Sequence, residues 1–598
     1  MSASPTTRIG SPTEEMPAED APRAKHWSPV FVVGLLLLVL ILLRLPSALL
    51  PRELNIDESQ GLADAMKFAI DPRPWIAVQG GSWGPLNSYL VTAFLLIGFK
   101  PGFILVHMLA MALVCLQVVL GYITMRRFAS EAAAAFGALL MVLVYGLSTK
   151  ADFSLPYAGE MLPALLLMLG FYLFLCWLDK TEVPGGNLYL GLLFLGGLVL
   201  GTAPWCKSQA APVSGALGLL VIAAIFHDAN FRRGRLGHIK QLAVFCAGAI
   251  STSLAILAVL LKTGAVGDFW ASFIKGNVAY AGGASWSRVL VYFLLVFVVT
   301  PLNQLLVVGV SLVIYTTLGK QSSSLPNQRN WVKWALLVYA GASLFAVCRV
   351  QYLFPHHAIF LVPPVTYIIA DLASHGLASW GEGWTSRKTA ILMVAFVPAL
   401  VLYSAYIVRY GYMIEAIRRI SRETDASRME VVPDLHVRSA GLLDNIVGPS
   451  DWVIPDWNER IASTVETIRQ THSVHSLMIW GLAPGVYVLT DMVPATRYSV
   501  AEPARSGTLQ TYYTGRLMGD LRSSNPDLFI DTVCRGMRRF DMTETDGYES
   551  VPELREFVDK NYTLVATLPV IKGSKPVRFF LRRSPAAAHD TSGNEQGH

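Results

Sequence analysis

A series of long apolar segments constrains this chain more than any other feature of its sequence. They fall between residues 30 and 410, and short polar stretches separate them. A helix needs about 20 apolar residues to cross the hydrocarbon core of a bilayer, and several segments reach that length. The chain is also 53% apolar and only 15% charged, which is typical of membrane proteins. The sequence therefore predicts a polytopic all-α membrane domain over residues 29–410.

The rest of the chain has a different composition. Residues 1–28 are rich in Pro, Ala, Ser and charge, which predicts a disordered cytoplasmic tail. Residues 411–583 alternate helical and strand patterns, so they predict a small soluble α/β domain. Residues 584–598 predict a second disordered tail. Within the soluble domain the patterns place a helix over Val551–Lys560 and strands over Ser476–Gly481, Asp527–Thr532, Tyr562–Leu568 and Pro576–Arg582.

Charge and motif content exclude some classes of function. The net charge of +6 is small for 598 residues and follows the basic loops between apolar segments, so we expect no nucleic-acid partner. Residues 411–583 contain neither a GxGxxG nor a P-loop motif, so we expect no nucleotide binding there.

Basic residues orient the membrane domain. Cytoplasmic loops are enriched in Lys and Arg, which cluster here near positions 126–127, 232–240 and 387–388. These clusters lie on one side if the apolar segments 85–98 and 102–124 together make a single crossing, the first as a half-helix. The N-terminus is then cytoplasmic and the C-terminal domain is extracytoplasmic.

Ionisable residues collect in the polar stretches that this topology places outside. They are Asp57 and Glu58 in the first outer loop, Asp152 and Glu160 in the second, and Lys207, Arg349 and His356 in later ones. Charged groups at the edge of a membrane are costly unless water, a counter-ion or a substrate compensates them. Each of these residues also has a simpler explanation. Asp57 or Glu58 could merely cap the helix Ser59–Ile70, and the carboxylate of Glu160 could merely interact with the dipole of the helix that it begins. Lys207 could extend its ammonium to the membrane interface without any further role.

Two adjacent histidines, His356 and His357, suggest a metal site, but their spacing argues against it. Adjacent histidines are poor co-ligands on one helix face, and no HxxxH motif is present. Contact of His356 and Arg349 with phosphate or sugar is favoured. In the soluble domain, Trp480 and Arg497 either line the mouth of an active site or form strand core and turn.

Several short motifs resemble those of one group of membrane enzymes. The stretch Asn55-Ile56-Asp57-Glu58-Ser59-Gln60 resembles the first-loop acidic motif of GT-C glycosyltransferases, which include protein O-mannosyltransferases and lipid A aminoarabinose transferases. Four further stretches of the chain are similar to later motifs of bacterial members: Trp83-Gly84-Pro85-Leu86, Asp152 to Glu160, Lys207-Ser208-Gln209 and Phe354-Pro355-His356. After the last of these, His357 occupies the position at which those members have Tyr. A signature of their C-terminal part resembles Ile479 to Tyr487 and Pro494 to Tyr498.

The resemblance implies a hexosyl- or pentosyltransferase in the inner (plasma) membrane. Its donor would be a sugar on a polyprenyl phosphate, and its acceptor an envelope glycan, lipid or protein on the extracytoplasmic face. Asp57 would be the catalytic base, with Glu58 holding substrate or tuning Asp57. The other implied site residues are Asp152 and Glu160 in the second acidic loop, Lys207, Arg349 and His356 at the donor phosphate, and Gln209, Tyr157 and His357 at the substrate. A divalent metal, if the enzyme uses one, would join Asp57 and Asp152.

Two other functions fit a polytopic chain. A transporter or flippase of lipid-linked sugars would place charged residues near the middle of the membrane, and such proteins often contain inverted repeats. In this sequence the charges gather at one face, and no clear repeat is seen. A non-catalytic envelope assembly protein would use the outer domain for binding and would tolerate the substitution Asp57→Asn.

Overall fold

The computed structural model describes residues 28–81, 83–146, 151–180, 187–227, 234–282, 285–300, 302, 305–306, 308–310, 312–313, 327–350, 353–378, 457–501, 509–533, 547–569 and 575–583 of the 598-residue chain. Apart from Ser28, both predicted tails lie outside the described residues. The last apolar segment before residue 410 and the predicted domain boundary at 410–411 also lie outside them.

The N-terminal part of the described chain is helical throughout. Its helices are α1 (Pro29–Ala48), α2 (Ile56–Ile70), α3 (Pro85–Leu96), α4 (Phe103–Met125), α5 (Glu131–Gly146), α6 (Ala151–Ser154), α7 (Met161–Lys180), α8 (Asn187–Cys206), α9 (Ala210–His227), α10 (Gly234–Thr263), α11 (Val266–Phe269), α12 (Gly276–Gly282), α13 (Trp286–Val299), α14 (Asn327–Cys348) and α15 (Val362–Ala378). A π-helix (Trp270–Lys275) follows α11, and a 3₁₀ helix (Pro355–Leu361) precedes α15. Within the described residues, eight helices are long and apolar enough to cross a membrane. The chain is therefore a multi-pass membrane protein, and the predicted fold class is confirmed.

Helices α3 and α4 start at the same end of the bundle. Helix α3 has 12 residues, too few to span a bilayer. It begins beside the end of α8, because the N–H of Gly84 donates to the carbonyl oxygen of Cys206 at 2.9 Å. Helix α4 begins beside the end of α1, because a ring nitrogen of His107 lies 3.1 Å from the carbonyl oxygen of Leu50. The single crossing expected for the two apolar segments, and the side of the membrane on which this end lies, stay predictions.

Helices α8 and α10 pack at close range through glycines. A Cβ on Gly201 would lie 1.9 Å from the carbonyl oxygen of Ala249, and one on Gly248 would lie 2.1 Å from that of Phe194. Small residues at such contacts let helix backbones approach closely, which favours helix association in lipid. The contact fixes the helix that ends one residue before Lys207.

The C-terminal domain is a small sheet with helices packed on it. Its elements are α16 (Trp457–Thr471), β1 (Leu477–Trp480), α17 (Gly485–Leu489), α18 (Gln510–Ser524), β2 (Leu528–Asp531), α19 (Pro552–Asn561), β3 (Tyr562–Leu568) and β4 (Val577–Arg582). The strand order is β1-β2-β4-β3, in which β1 and β2 are parallel and the other pairs are antiparallel. Each strand, and helix α19, begins and ends within one residue of the bounds that the sequence predicts.

Helix α2 lies between the two domains. Leu62 joins the hydrophobic core of the membrane domain, whereas the next residue, Ala63, joins that of the soluble domain. The hydroxyl of Ser499 donates to the carboxyl of Asp64 at 2.7 Å, which adds a polar contact on the soluble-domain side. The helix that begins at the acid pair is thus held on two faces.

An aromatic cluster connects the loop between α2 and α3 to the end of α8. The rings of Trp75, Trp205, Phe269 and Phe273 pack with centroids 5.0 to 6.5 Å apart. Trp75 adopts a φ of 61°, which bulky residues rarely take, so these ring contacts hold a strained turn in place. Trp205 is two residues before Lys207, and the cluster therefore supports the candidate site from outside.

Candidate functional site

The acid pair begins helix α2, and its two carboxylates diverge. Asn55 is the N-cap, because its side-chain oxygen accepts the N–H of Asp57 at 2.8 Å. Glu58 completes a capping box by accepting the N–H of Asn55 at 3.4 Å. Asn55 therefore caps the helix, and of the two acids only Glu58 supports the cap with its side chain. The side chain of Asp57 stays 28% exposed, whereas that of Glu58 is fully buried.

Glu58 faces the bundle, against His107 of α4. The Nε2 atom of His107 lies 3.1 Å from Oε2 and 3.2 Å from Oε1 of Glu58. The other ring nitrogen, Nδ1, lies 3.1 Å from the carbonyl oxygen of Leu50. No motif in the sequence points to His107. Glu58 and His107 thus form a buried pair, whereas the neighbouring carboxylate of Asp57 is more exposed.

Asp57 faces the 3₁₀ helix before α15. Its Oδ2 lies 3.4 Å from Nε2 of His356. The ring of His356 stacks on that of Phe354, with centroids 5.4 Å apart and planes 7° from parallel, so the imidazole is held in place. An oriented imidazole beside a partly exposed carboxylate is a suitable arrangement for moving a proton.

A second cluster lies next to the first. The Oε1 atom of Glu160 lies 3.0 Å from Nζ of Lys207 and 3.8 Å from Nε2 of His357. All three side chains are buried, each being at most 4% exposed. The two clusters meet because the rings of His356 and His357 are 4.8 Å apart and nearly perpendicular. Predicted residues from the start of α2, the turn before α7, the turn after α8 and the 3₁₀ helix before α15 thus come together in one site.

Asn87, a residue without a predicted role, holds the backbone of the second cluster. Its Nδ2 donates to the carbonyl oxygens of Gly159 at 2.8 Å and of Cys206 at 2.7 Å. These carbonyls immediately precede Glu160 and Lys207 in sequence, so one buried amide fixes both segments. An Asn in the first turn of an apolar helix is the sequence signal that could have suggested it.

Glycines let Trp83 approach the same cluster. A Cβ on Gly61 would lie 2.3 Å from the indole ring, and one on Gly159 would lie 2.9 Å from its Nε1. The Nζ atom of Lys207 lies 5.8 Å from the centroid of the ring, which is within the range of a cation–π contact. Trp83 therefore shields one side of the buried ammonium from water.

Two predicted site residues are not shown to join these clusters. The guanidinium of Arg349 lies over the ring of Trp286, 5.0 Å from its centroid. Asp152 lies in the short helix α6, and its side chain is outside the described part of the structure. The phosphate role of the first and the acidic role of the second stay predictions.

The predicted substrate contacts have different surroundings from one another. The hydroxyl of Tyr157 donates to the backbone oxygen of Asn87 at 3.0 Å, so it supports the scaffold. The amide of Gln209 is buried and, among the described residues, has no hydrogen-bond partner. A buried amide without a partner is costly, which makes Gln209 the better candidate for a substrate contact.

Comparison with known proteins identifies the architecture. No known protein family and no curated protein matches the sequence. Among solved structures, ArnT from Cupriavidus metallidurans bound to undecaprenyl phosphate gives a TM-score of 0.50 at 12% identity, covering 92% of this chain and 97% of that one. The oligosaccharyltransferase AglB from Archaeoglobus fulgidus, in complex with an inhibitory peptide and a dolichol-phosphate, gives 0.46 at 11% identity, covering 84% and 69%. The chain has a GT-C fold.

One group of side chains in this GT-C chain could hold a metal ion. Ligand atoms of Glu160, His356 and His357 lie within 4.8 Å of one another, and all three residues are buried. A carboxylate with two imidazoles is a ligand set that zinc accepts. The ammonium of Lys207 competes for the same carboxylate, since it lies 3.0 Å from Oε1 of Glu160.

This group differs from Asp57 and Asp152, the pair at which the family resemblance leaves a divalent metal open. The spacing argument against the histidine pair requires both rings to bind from one helix face. In the GT-C chain the two rings are 87° apart and lie beside different acids, yet their ligand atoms remain within reach of one ion. Adjacency in the sequence therefore does not exclude the pair as ligands.

Arg497 joins the soluble domain of the GT-C chain to the loop between α2 and α3 and to helix α11. Its guanidinium donates two hydrogen bonds of 2.9 Å to Asp520 and one of 3.2 Å to the carbonyl oxygen of Trp75. It also lies 3.4 Å from the carboxylate of Asp268 in α11. Trp480 is fully buried in strand β1. These contacts fit the expectation that Trp480 and Arg497 belong to strand core and turn, and not the expectation that they line the mouth of an active site.

Proposed function

We propose that this protein is a membrane glycosyltransferase that moves a sugar from a polyprenyl phosphate to an envelope acceptor on the extracytoplasmic face. The observation that carries the proposal is the meeting of two acid–base pairs, Asp57 with His356 and Glu160 with Lys207, at one end of the helical bundle. Further support comes from the GT-C fold shared with ArnT, whose structure contains undecaprenyl phosphate.

The reaction would need one base and one site for a departing phosphate. A hydroxyl of the acceptor forms the new bond to the anomeric carbon, its proton goes to Asp57, and the bond to the phosphate oxygen breaks with its electron pair. The partial exposure of Asp57 (28%) leaves it accessible to an acceptor. His356, 3.4 Å away, would orient the carboxylate for this step.

The departing phosphate gains charge, and the second cluster would stabilise it. Lys207 is the buried cation nearest to Glu160, and its ammonium would offer hydrogen bonds to a phosphate oxygen. In the free protein Glu160 balances that charge, which avoids a buried unpaired cation. When the donor binds, the ammonium of Lys207 would then contact both the carboxylate of Glu160 and the phosphate.

The alternative of a transporter or flippase is less well supported. Residues Asp57, Glu160, Lys207 and His356 all lie where helices begin or end, and on one side of the bundle. A transport pathway would need ionisable groups near the middle of the membrane. A charged site at one face suits a reaction at that face.

The test of the proposal is the substitution Asp57→Asn. We expect transfer from a radiolabelled polyprenyl-phosphate sugar to fall by at least about 1,000-fold, because the amide cannot take the proton. Asp71→Asn is the matched control, since Asp71 ends the same helix and pairs with the exposed Arg73. Full activity of a well-folded Asp57→Asn protein would remove the assignment.

The phosphate site is tested separately. Lys207→Met combined with Glu160→Gln removes both charges, so neither charge is left buried without its counter-ion. We expect the KM for the donor to rise by about 10- to 100-fold with the KM for the acceptor little changed, because a charged hydrogen bond to phosphate is lost. Arg349→Ala should act in the same direction. Unchanged donor kinetics in both proteins would count against this role.

A further inference from the structure

The buried carboxylate of Glu58 makes four polar contacts. Its Oε1 accepts the backbone N–H of Leu54 at 2.5 Å and that of Asn55 at 3.4 Å. Both of its oxygens also lie within 3.2 Å of Nε2 of His107. The side chains of Glu58 and His107 are each 0% exposed, so no solvent screens the pair.

Hydrogen-bond counting fixes the charge of this pair. The carbonyl oxygen of Leu50 can only accept, so Nδ1 of His107 must carry a proton. Nε2 faces two carboxylate oxygens, and a second proton must lie between the groups to avoid opposing lone pairs. Whether that proton is on nitrogen or oxygen, the pair as a whole is neutral. Glu58 therefore has no free capacity to take a proton from a substrate.

The pair joins three segments that adjoin Asp57 in the fold. Leu50 follows α1, Leu54 and Asn55 form the turn before α2, and His107 belongs to α4. Asp57 itself is partly exposed, and its backbone N–H is bonded to the side chain of Asn55. The position of its carboxylate therefore depends on the backbone on which it sits as well as on its contact with His356.

We propose that His107 is a positioning residue for the reaction, acting through Glu58 on the backbone that carries Asp57. The inference rests on the proposed function, in which Asp57 is the base. It assigns the adjacent acids of the motif to different tasks. The first performs the chemistry, and the second, with a histidine 49 positions away, holds the first in place.

Two substitutions separate positioning from direct participation. Glu58→Gln keeps the contacts, because its amide oxygen accepts from the backbone and its NH₂ donates to Nε2 of a neutral His107. We expect it to retain at least about a third of the wild-type kcat. His107→Phe leaves the Glu58 carboxylate buried without its partner, and we expect kcat to fall about 100-fold as Asp57 shifts, with the donor KM unchanged.

A double variant supplies the rescue. Glu58→Gln combined with His107→Phe removes the buried ionisable carboxyl group that His107→Phe leaves without its partner, and we expect it to recover about tenfold of the activity that His107→Phe loses. His227→Phe, at the far end of α9 from Lys207, is the matched control for loss of a histidine. A Glu58→Gln protein as inactive as Asp57→Asn, or a fully active His107→Phe protein, would overturn the proposal.

Amide hydrogen exchange keeps this test independent of the reaction. In intact protein in nanodiscs, the N–H groups of Leu54 and Asn55 should exchange slowly in the wild type and in Glu58→Gln. They should exchange at least about tenfold faster in His107→Phe, because the carboxylate no longer has a fixed position. This result would stand even if no sugar transfer were found, whereas unchanged exchange would overturn the positioning role.

Discussion

A single amide, that of Asn87, sets the backbone of two segments that carry opposite charges. Its Nδ2 donates to the carbonyls before Glu160 and before Lys207, at 2.8 and 2.7 Å. Asn87→Leu has a similar volume but leaves the carbonyl of Gly159 without this donor. We expect it to cost about 1–3 kcal/mol in the free energy of unfolding and to raise the donor KM.

The matched control for Asn87→Leu is Thr92→Val on the same helix. Thr92 is also buried, and its hydroxyl donates to the carbonyl oxygen of Ser88 at 2.9 Å. It should lower the melting temperature in detergent without changing the donor KM. Equal effects of the two substitutions on donor KM would show that Asn87 has no special link to the cluster.

Among single residues, the sequence identifies buried or membrane-edge charges that need compensation more readily than it identifies the residues that contact them. Asp57, Glu160 and Lys207 stand out because a charge beside an apolar segment needs compensation, and the structure brings them into one site. Asn87 and His107 do not stand out, because one polar residue near the start of a helix has many ordinary explanations. Their partners lie 72 and 49 positions away in the chain, and no spacing rule connects them.

Among the elements, the contact of α8 with α10 is the most sensitive to side-chain size. A Cβ on Gly201 would lie 1.9 Å from the carbonyl oxygen of Ala249, whereas one on Gly191 meets no atom within 4 Å. We expect Gly201→Ala to separate the helices and to lower stability by about 1–3 kcal/mol. Gly191→Ala on the same helix should be neutral or slightly stabilising, because Ala is the better helix former.

Thermal unfolding of the two variants in the same detergent measures this difference. The separation of the helices should also move Lys207, so Gly201→Ala should weaken donor binding as well. Equal melting temperatures for the two variants would mean that α8 and α10 do not approach as closely as described.

Element bounds were predictable where pattern and length agree. The strands of the soluble domain alternate or are fully apolar between turn signals, and all four are found within one residue of the expected bounds. The apolar pattern over 241–261 predicts only the core of α10, which runs from Gly234 to Thr263. Hydropathy detects the apolar part of a helix that lies in lipid, and it does not detect the polar ends of that helix.

For the molecule as a whole, the decisive feature is the placement of α2 between two hydrophobic cores. Ala63 belongs to the core of the soluble domain, while Leu62 and Ala65 belong to that of the membrane domain. Arg497 and Ser499 add polar contacts across the same boundary. Since α2 begins at the acid pair, docking of the soluble domain and the position of Asp57 are mechanically linked. No sequence pattern predicts this, because a helix with two buried faces resembles any short amphipathic helix.

The docking of the soluble domain should depend on pH through Asp64. Burial raises the pKa of this carboxyl from 3.8 to about 7, although the hydrogen bond from Ser499 lowers it somewhat. Between pH 3.8 and about 7 the docked state therefore keeps a proton that an undocked, solvated Asp64 has already released. Over that window, stability falls as pH rises, by at most about 1.4 kcal/mol per pH unit, and it is constant above it.

Asp64→Asn isolates this contribution. The amide oxygen still accepts from Ser499, and no charge forms at any pH, so the variant should be more stable than the wild type at pH 8 and similar to it near pH 4. The measurement is the difference in melting temperature between the two proteins in nanodiscs from pH 4 to pH 8, which cancels the other titrating groups. A difference that does not grow with pH would show that Asp64 is not held uncharged at the interface. A growing difference would link the stability of the helix that carries Asp57 to the docked state of the soluble domain.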